Sequence, residues 1–217
     1  MNKPTKLSPP VSALVTIVAV LVAALAIPAR AEGPVARVPA VRENSTDPDL
    51  KAIFDNARKR GGQVINLVLV KGNAPKLARA SSAMAYAIRF DTKTPRPLVE
   101  LAILRTAHLW KGDYEMNQHR PIMRACGYTP QQIEAVGNWR ASTLFNERQR
   151  ALLAYVDEAA RGDVDDATFA AFEKFFDTQE IVEITITVNI YVGTALFTRA
   201  LRIKTEDDGR QTAIGKC

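Results

Sequence analysis

His119 and two glutamates near it carry the strongest chemical signal in this sequence. In the run Trp110-Lys111-Gly112-Asp113-Tyr114-Glu115-Met116-Asn117-Gln118-His119, helical spacing puts Glu115 one turn before His119 on the same face. Glu100 lies on the preceding helical segment, and antiparallel packing through the turn at Lys111-Gly112-Asp113 would bring it alongside. Imidazole titrates nearest neutrality, so a histidine with carboxylates in reach suits proton transfer. The chain has two histidines, and a satisfied structural His119 is the alternative reading. Pro121 cannot supply the amide that would bond the Asn117 carbonyl, so the helix is expected to kink there. Arg105 and Arg120 are candidate cations for an anionic substrate, and Tyr114 is a candidate pocket residue. Each has a structural alternative, as solvated cation or buried aromatic.

A metal reading uses the same side chains, since Glu100, Glu115 and His119 form a two-carboxylate, one-histidine set. Catalytic zinc takes more nitrogen or sulfur, and non-haem iron favours two histidines with one carboxylate. The expectation is therefore a site without metal or other cofactor.

The N-terminus carries a targeting pattern. Lys3 and Lys6 precede the uncharged apolar run Val11 to Ile27, and Ala29-Arg30-Ala31 has the small-x-small form of a cleavage site. As helix the run reaches only about 25 Å, marginal for a bilayer core. Residues 1–31 are thus expected to be a signal peptide cleaved after Ala31, giving a periplasmic or secreted protein. Without Lys3, Lys6 and Arg30 the net charge falls from +6 to +3, and no basic stripe suggests nucleic acid. Residues 32–217 suit one domain with a full core, and no second apolar run reads as membrane-spanning. Cys126 and Cys217 are too few for a disulfide scaffold. Cys126 reads as a helix-end core residue and Cys217 as the end of a polar tail, so a bond between them is permitted but not expected.

Periodicity and punctuation then divide the chain. Residues 32–48 read as an extended arm, and 204–217 as a polar, mobile tail. Between them, helices are expected from Leu50 to the Gly61-Gly62 pair, over Ala74 to Ile88, and from Thr94-Pro95-Arg96-Pro97 onward. Further helices run from Asp113 to Gly127, from Thr129 to about Val136, over Asn146 to Arg161 and over Asp163 to Phe176. Glu180 to Leu201 is ambiguous. Ile184, Ile186, Val188, Ile190 and Val192 alternate as in a strand, whereas Ile181, Ile184, Val188, Tyr191 and Ala195 fit a helix. No other segment offers such a strand a partner, so helix is the better assignment.

Pro97-Leu98-Val99-Glu100-Leu101-Ala102-Ile103-Leu104-Arg105, then Tyr114 to His119, then Ala125-Cys126-Gly127-Tyr128-Thr129 and Ile133, resemble the carboxymuconolactone decarboxylase superfamily, which includes the alkyl hydroperoxidase D-like proteins. The likeness is most specific over Pro97 to Val136. It implies an all-α, single-domain helical bundle of about seven to eight helices over residues 49–203. It also implies homo-oligomers, trimers or hexamers, with a small-molecule pocket near a subunit interface.

By position, the resemblance assigns Glu100 and His119 to the hydroperoxidase branch's proton relay. That branch's redox cysteines would fall at Gly112 and Glu115, where neither residue can form a sulfenic acid. The Glu115-x-x-x-His119 arrangement is instead similar to the decarboxylase branch. The resemblance therefore implies cofactor-free lyase, decarboxylase or isomerase chemistry on a small organic acid or lactone. His119 would be general acid/base, with Glu115 and Glu100 as its catalytic partners. The alternatives are hydroperoxidase activity, disfavoured by the missing cysteines, and a non-catalytic oligomeric binding protein.

Overall fold

Short polar punctuation sets where the helices begin. A computed structural model describes Met1, residues 34–215 and Cys217; the expected signal segment, Met1 apart, lies outside the described residues. Asp47 accepts from the Asp49 and Leu50 amides at 2.9 and 3.1 Å and starts α1 (Pro48–Lys59). Then follow α2 (Asn66–Lys71), α3 (Pro75–Phe90), α4 (Arg96–Leu109) and α5 (Asp113–Ala125). The Thr129–Gln132 capping box opens α6 (Pro130–Ala135), which runs into a 3-10 segment, Val136–Ala141. Asn146 with Gln149, Asp165, and Asp177 with Glu180 cap α7 (Glu147–Ala159), α8 (Asp166–Phe172) and α9 (Thr178–Leu201). Among the described residues the fold is all-helical, with nine α-helices. The excess over the seven to eight expected comes from one-turn pieces such as α2.

Gly112 occupies the N-cap of α5, and Asp113 is the first helical residue. The helix runs through Pro121 to Ala125. It stops at Gly127, whose φ of +91° suits the reversal in which the Tyr128 amide donates to the Met123 carbonyl at 3.1 Å.

The ambiguous segment is helical. Ile184, Val188, Tyr191, Ala195 and Thr198 form its buried face at helical spacing. Thr185, Thr187 and Thr194 turn their hydroxyls back onto the Ile181, Glu183 and Ile190 carbonyls at 2.7, 2.7 and 2.8 Å. β-branched content therefore loses to a capping box and a core-facing stripe. By length and composition α9 could also cross a membrane, a property its sequence had not suggested; its inner face belongs to the protein core.

α4 is the central element, buried on nearly every side, with Leu101, Ala102, Ile103 and Leu104 wholly inaccessible. It packs on α5, α7, α9 and the 3-10 segment. Leu152, Leu153, Val156, Phe172, Ile184 and Val188 close the main core around it.

The described part of the arm, residues 34–47, and the tail both pack on this bundle. In the arm, Ala36 is buried, and the Arg37 amide donates to the Leu201 carbonyl at 2.7 Å. The polar tail is not loose, contrary to its composition. Glu206 and Ala213 are buried, the Gln63 amide donates to the Gln211 carbonyl at 2.9 Å, and Arg210 donates to the Val64 carbonyl at 2.6 Å. Cys217 is disulfide-bonded to Cys126 across 91 residues, the bond that residue polarity had argued against. Polarity misled here because the tail's polar groups are spent on internal partners rather than on water. Cross-linking so long a loop restricts the unfolded chain, so replacing both cysteines by serine is expected to lower the unfolding free energy by about 2–4 kcal/mol. Denaturant melts would measure it, and trypsin should then cut faster after Arg210.

Candidate functional site

Helical geometry decides which charged residues can meet. Positions four apart share a face, whereas neighbours diverge by about 100°. Arg96 and Glu100 on α4 obey the first rule, with Arg96 Nε donating to Glu100 Oε1 at 2.7 Å. The other carboxylate oxygen, Oε2, lies 2.6 Å from His119 Nδ1 on α5, the antiparallel neighbour across the Gly112 turn. Glu100 is completely buried. Burial opposes its ionisation, but the charge and hydrogen bond of His119, with Arg96 and Arg89, outweigh this and hold its carboxyl below the usual range. An ionised Glu100 accepts, so His119 Nδ1–H is the donor. That leaves Nε2, which makes no hydrogen bond among the described residues, as the group for outside chemistry. The ring is braced edge-on by Tyr191, centroid to centroid 5.1 Å.

His119 lines a cavity of about 370 Å³ between α2, α3, α5 and α9, closed on one side by the tail at Thr212. Its wall is largely apolar, including Ile65, Leu67, Val68, Ile190 and Phe197. Its charged members are Lys71, Arg89, Glu115 and His119.

Glu115 shares the cavity but does not pair with His119. Its carboxylate accepts from the Thr198 hydroxyl at 3.1 Å. Burial pushes its carboxyl above the usual range, against its own amide, Thr198 and Lys71. Gly112 makes this possible, since a Cβ there would meet Glu115 Oε2 at 2.6 Å. The two positions that the resemblance gives to redox cysteines are thus filled by one carboxylate folded over a glycine.

Tyr114 also lines the cavity, but its hydroxyl is engaged elsewhere, donating to Glu206 Oε1 at 2.5 Å and accepting from the Leu67 amide at 3.1 Å. Burial, then the Glu206 charge, pushes its pKa far up, so it stays neutral. Gln118 joins the same network, donating to Glu206 Oε2 at 2.6 Å and accepting from the Thr212 amide at 2.9 Å.

Neither arginine singled out as a substrate cation reaches the cavity. Arg105, five residues beyond Glu100, is rotated by about 140° on α4. It pairs with Asp157 at 2.5 Å and donates to the Val136 and Gly137 carbonyls. Arg120, next to His119, is turned away by one helical step, with Glu134 at 3.7 Å. The cations actually present are Arg89 and Lys71. Arg89 is buried, donates to Thr212 Oγ1 at 2.9 Å and to the Ala213 carbonyl, and has no carboxylate in direct contact. No sequence spacing marked Arg89 or Lys71, because each belongs to a different helix from His119. Arg96, by contrast, carried a readable i,i+4 signal to Glu100. No cluster of three His, Cys, Asp or Glu side chains among the described residues has the geometry to hold a metal.

These features meet an established pattern. Residues 75–158, which contain Glu100, Glu115 and His119, match the model of the carboxymuconolactone decarboxylase family. No curated protein matches the chain significantly. Among solved structures, the chain is similar to an alkylhydroperoxidase AhpD core, a peroxidase-related protein from Ralstonia eutropha JMP134. The TM-score there is 0.71 at 21% identity, covering 82% of this chain and 95% of that one. A peroxidase-related protein from Silicibacter sp. TM1040 gives 0.68 at 17% identity, with 81% and 93% covered. The debrominase Bmp8, in complex with 2,3,4-tribromopyrrole, gives 0.68 at 19% identity, with 77% and 91% covered. The fold is thus that of AhpD-like structures, and the segment that carries the Glu100–His119 pair is similar to the carboxymuconolactone decarboxylase family.

The raised Glu115 pKa has a measurable consequence for stability. Its folded value lies above the unfolded one, so its contribution is full below about pH 4.5 and is lost as pH rises through the folded value. Glu115→Gln is therefore expected to raise the melting temperature at pH 7–8, with the gain shrinking toward pH 4. Scanning calorimetry across that range checks it.

Proposed function

We propose that this protein is an exported, cofactor-free acid–base catalyst, a lyase, decarboxylase or isomerase, acting on a small organic acid. One observation carries the reading. His119 Nδ1 is committed to an ionised, fully buried Glu100 at 2.6 Å, while Nε2 is left unpartnered beside a cavity of about 370 Å³. Glu100 fixes the tautomer and stabilises the imidazolium, so Nε2 can give or take a proton at substrate. Arg89 supplies positive potential that draws a carboxylate into a largely apolar cavity. In a decarboxylation, the bond to the departing carboxylate breaks and its electron pair moves into the adjoining unsaturated system. His119 Nε2–H then protonates the carbon left behind, and solvent recharges the ring. Glu115, held toward its acid form by burial, is a second proton donor in the same cavity.

Thiol peroxide chemistry is disfavoured, because both cysteines are joined in one disulfide. That bond also supports export to an oxidising compartment. A purely binding role leaves the free Nε2 without purpose.

The partner surface follows from α9. Val182, Ile186, Asn189, Gly193, Leu196 and Ala200 are exposed at alternating spacings of four and three, a seam suited to pairing with another copy of the helix. The seam borders the cavity, which Asn189 and Gly193 also line. We infer a homo-oligomer, trimer or hexamer, assembled through it.

For catalysis, His119→Gln should lower kcat by about 10²–10⁴-fold on any lactone or oxo acid the protein turns over, with circular dichroism unchanged. Undiminished turnover in that variant ends the proposal. For assembly, Ile186→Arg is expected to reduce the sedimenting species to monomer. A wild-type chain that already sediments as monomer would remove the seam's role.

A further inference from the structure

Lys71 is a charged cavity residue that the acid–base reading leaves idle. It ends α2 and lines the cavity with His119, Glu115 and Arg89. Its amino group makes no hydrogen bond or ion pair among the described residues; its neighbours are the Phe197 ring, 5.7 Å from the centroid, and Glu115 through space. Arg89 already provides a fixed positive charge that cannot be given up. A second cation with no anion in direct contact, set in a largely apolar wall, is better suited to losing its proton than to keeping it. Burial indeed draws the Lys71 amine below the usual lysine range, against the Glu115 charge.

We propose that Lys71 Nζ is a nucleophile that forms an imine with a small acid bearing a ketone or aldehyde, which makes oxo acids, rather than lactones, the substrates of this site. The proposal rests on the acid–base reading above and narrows its substrate class. The free amine attacks the carbonyl carbon, and the resulting carbinolamine hydroxyl takes a proton and leaves as water. Glu115 is the carboxylic acid at hand for that proton. Where a carboxylate sits β to the new C=N bond, its carbon–carbon bond breaks. The electron pair moves into the iminium to give an enamine, and carbon dioxide departs. His119 Nε2–H protonates the enamine carbon, and hydrolysis of the iminium returns the ketone and the Lys71 amine. The water released at the first step is consumed at the last, so no oxidant or reductant is needed.

Reductive trapping tests this directly. The wild-type protein is incubated with acetoacetate or pyruvate and sodium cyanoborohydride, then analysed by intact mass and peptide mapping. The expected result is one dominant adduct on Lys71, absent from Lys71→Arg, which keeps the charge and the stem. A lowered pKa leaves more free amine at neutral pH, so Lys71 should label ahead of exposed Lys76 and Lys174. His119→Gln should keep the adduct and lose turnover. Label spread over exposed lysines without enrichment at Lys71, or undiminished in Lys71→Arg, overturns the imine. If His119-dependent turnover persists without an adduct, the imine fails and the acid–base reading stands; an adduct with turnover indifferent to His119 fails the acid–base reading alone.

Discussion

A carboxylate removed wholly from water sets the terms for the rest of this structure. Ionised Glu100 survives at zero exposure only because Arg96 and His119 each take one of its oxygens, at 2.7 and 2.6 Å. Burying such a group without those partners would cost several kcal/mol. The pairing therefore requires α4 to stay covered on every side, and it locks the register of α5 against it. It also passes a debt outward, because the arginines that balance Glu100 are themselves buried and need acceptors. Arg96 donates to the Arg89 and Ile214 carbonyls, and Arg89 to Thr212 and Ala213.

Those acceptors explain why a polar C-terminus behaves as part of the core. Residues 206–214 supply backbone carbonyls to Arg89 and Arg96, the Glu206 carboxylate to Tyr114 and Gln118, and Thr212 to the cavity wall. The Cys126–Cys217 bond ties the far end of this segment to the C-terminus of α5, the helix that carries His119. Charge balance at Glu100, closure of the cavity and the disulfide are thus one mechanical unit.

Two carboxylates in the same neighbourhood are driven in opposite directions by their surroundings. Glu100, among cations, is held ionised; Glu115, facing Thr198 and an apolar wall, is held toward its acid. Environments that push titratable groups apart are how one site assigns acid and base roles. Gly112 leaves the room that the Glu115 carboxylate occupies, since a Cβ there would meet Oε2 at 2.6 Å.

Much of this was legible from residue order alone, wherever the information was local. The helix starts at Asp47, Thr129 and Asn146, the stop at Gly127 and the Glu100–His119 pairing across a short turn all follow from spacing and turn chemistry. α9 was harder, since its alternating β-branched residues favour a strand, and a buried stripe settled it. What order alone left open depends on contacts between distant segments. Arg105 and Arg120 have the right charge near the right residues, yet rotation about α4 and α5 carries them to other partners. Arg89 and Lys71 reach the cavity only because α3 and α2 fold across α5. The tail's composition speaks for solvent until its donors and acceptors find partners 88 to 148 residues away. Sequence by itself thus determined the helices and the dyad, because both arise from nearest-neighbour geometry. Only the tertiary structure decided which cations face the cavity, what closes it and where Cys217 goes, because those outcomes depend on which buried charges must find partners.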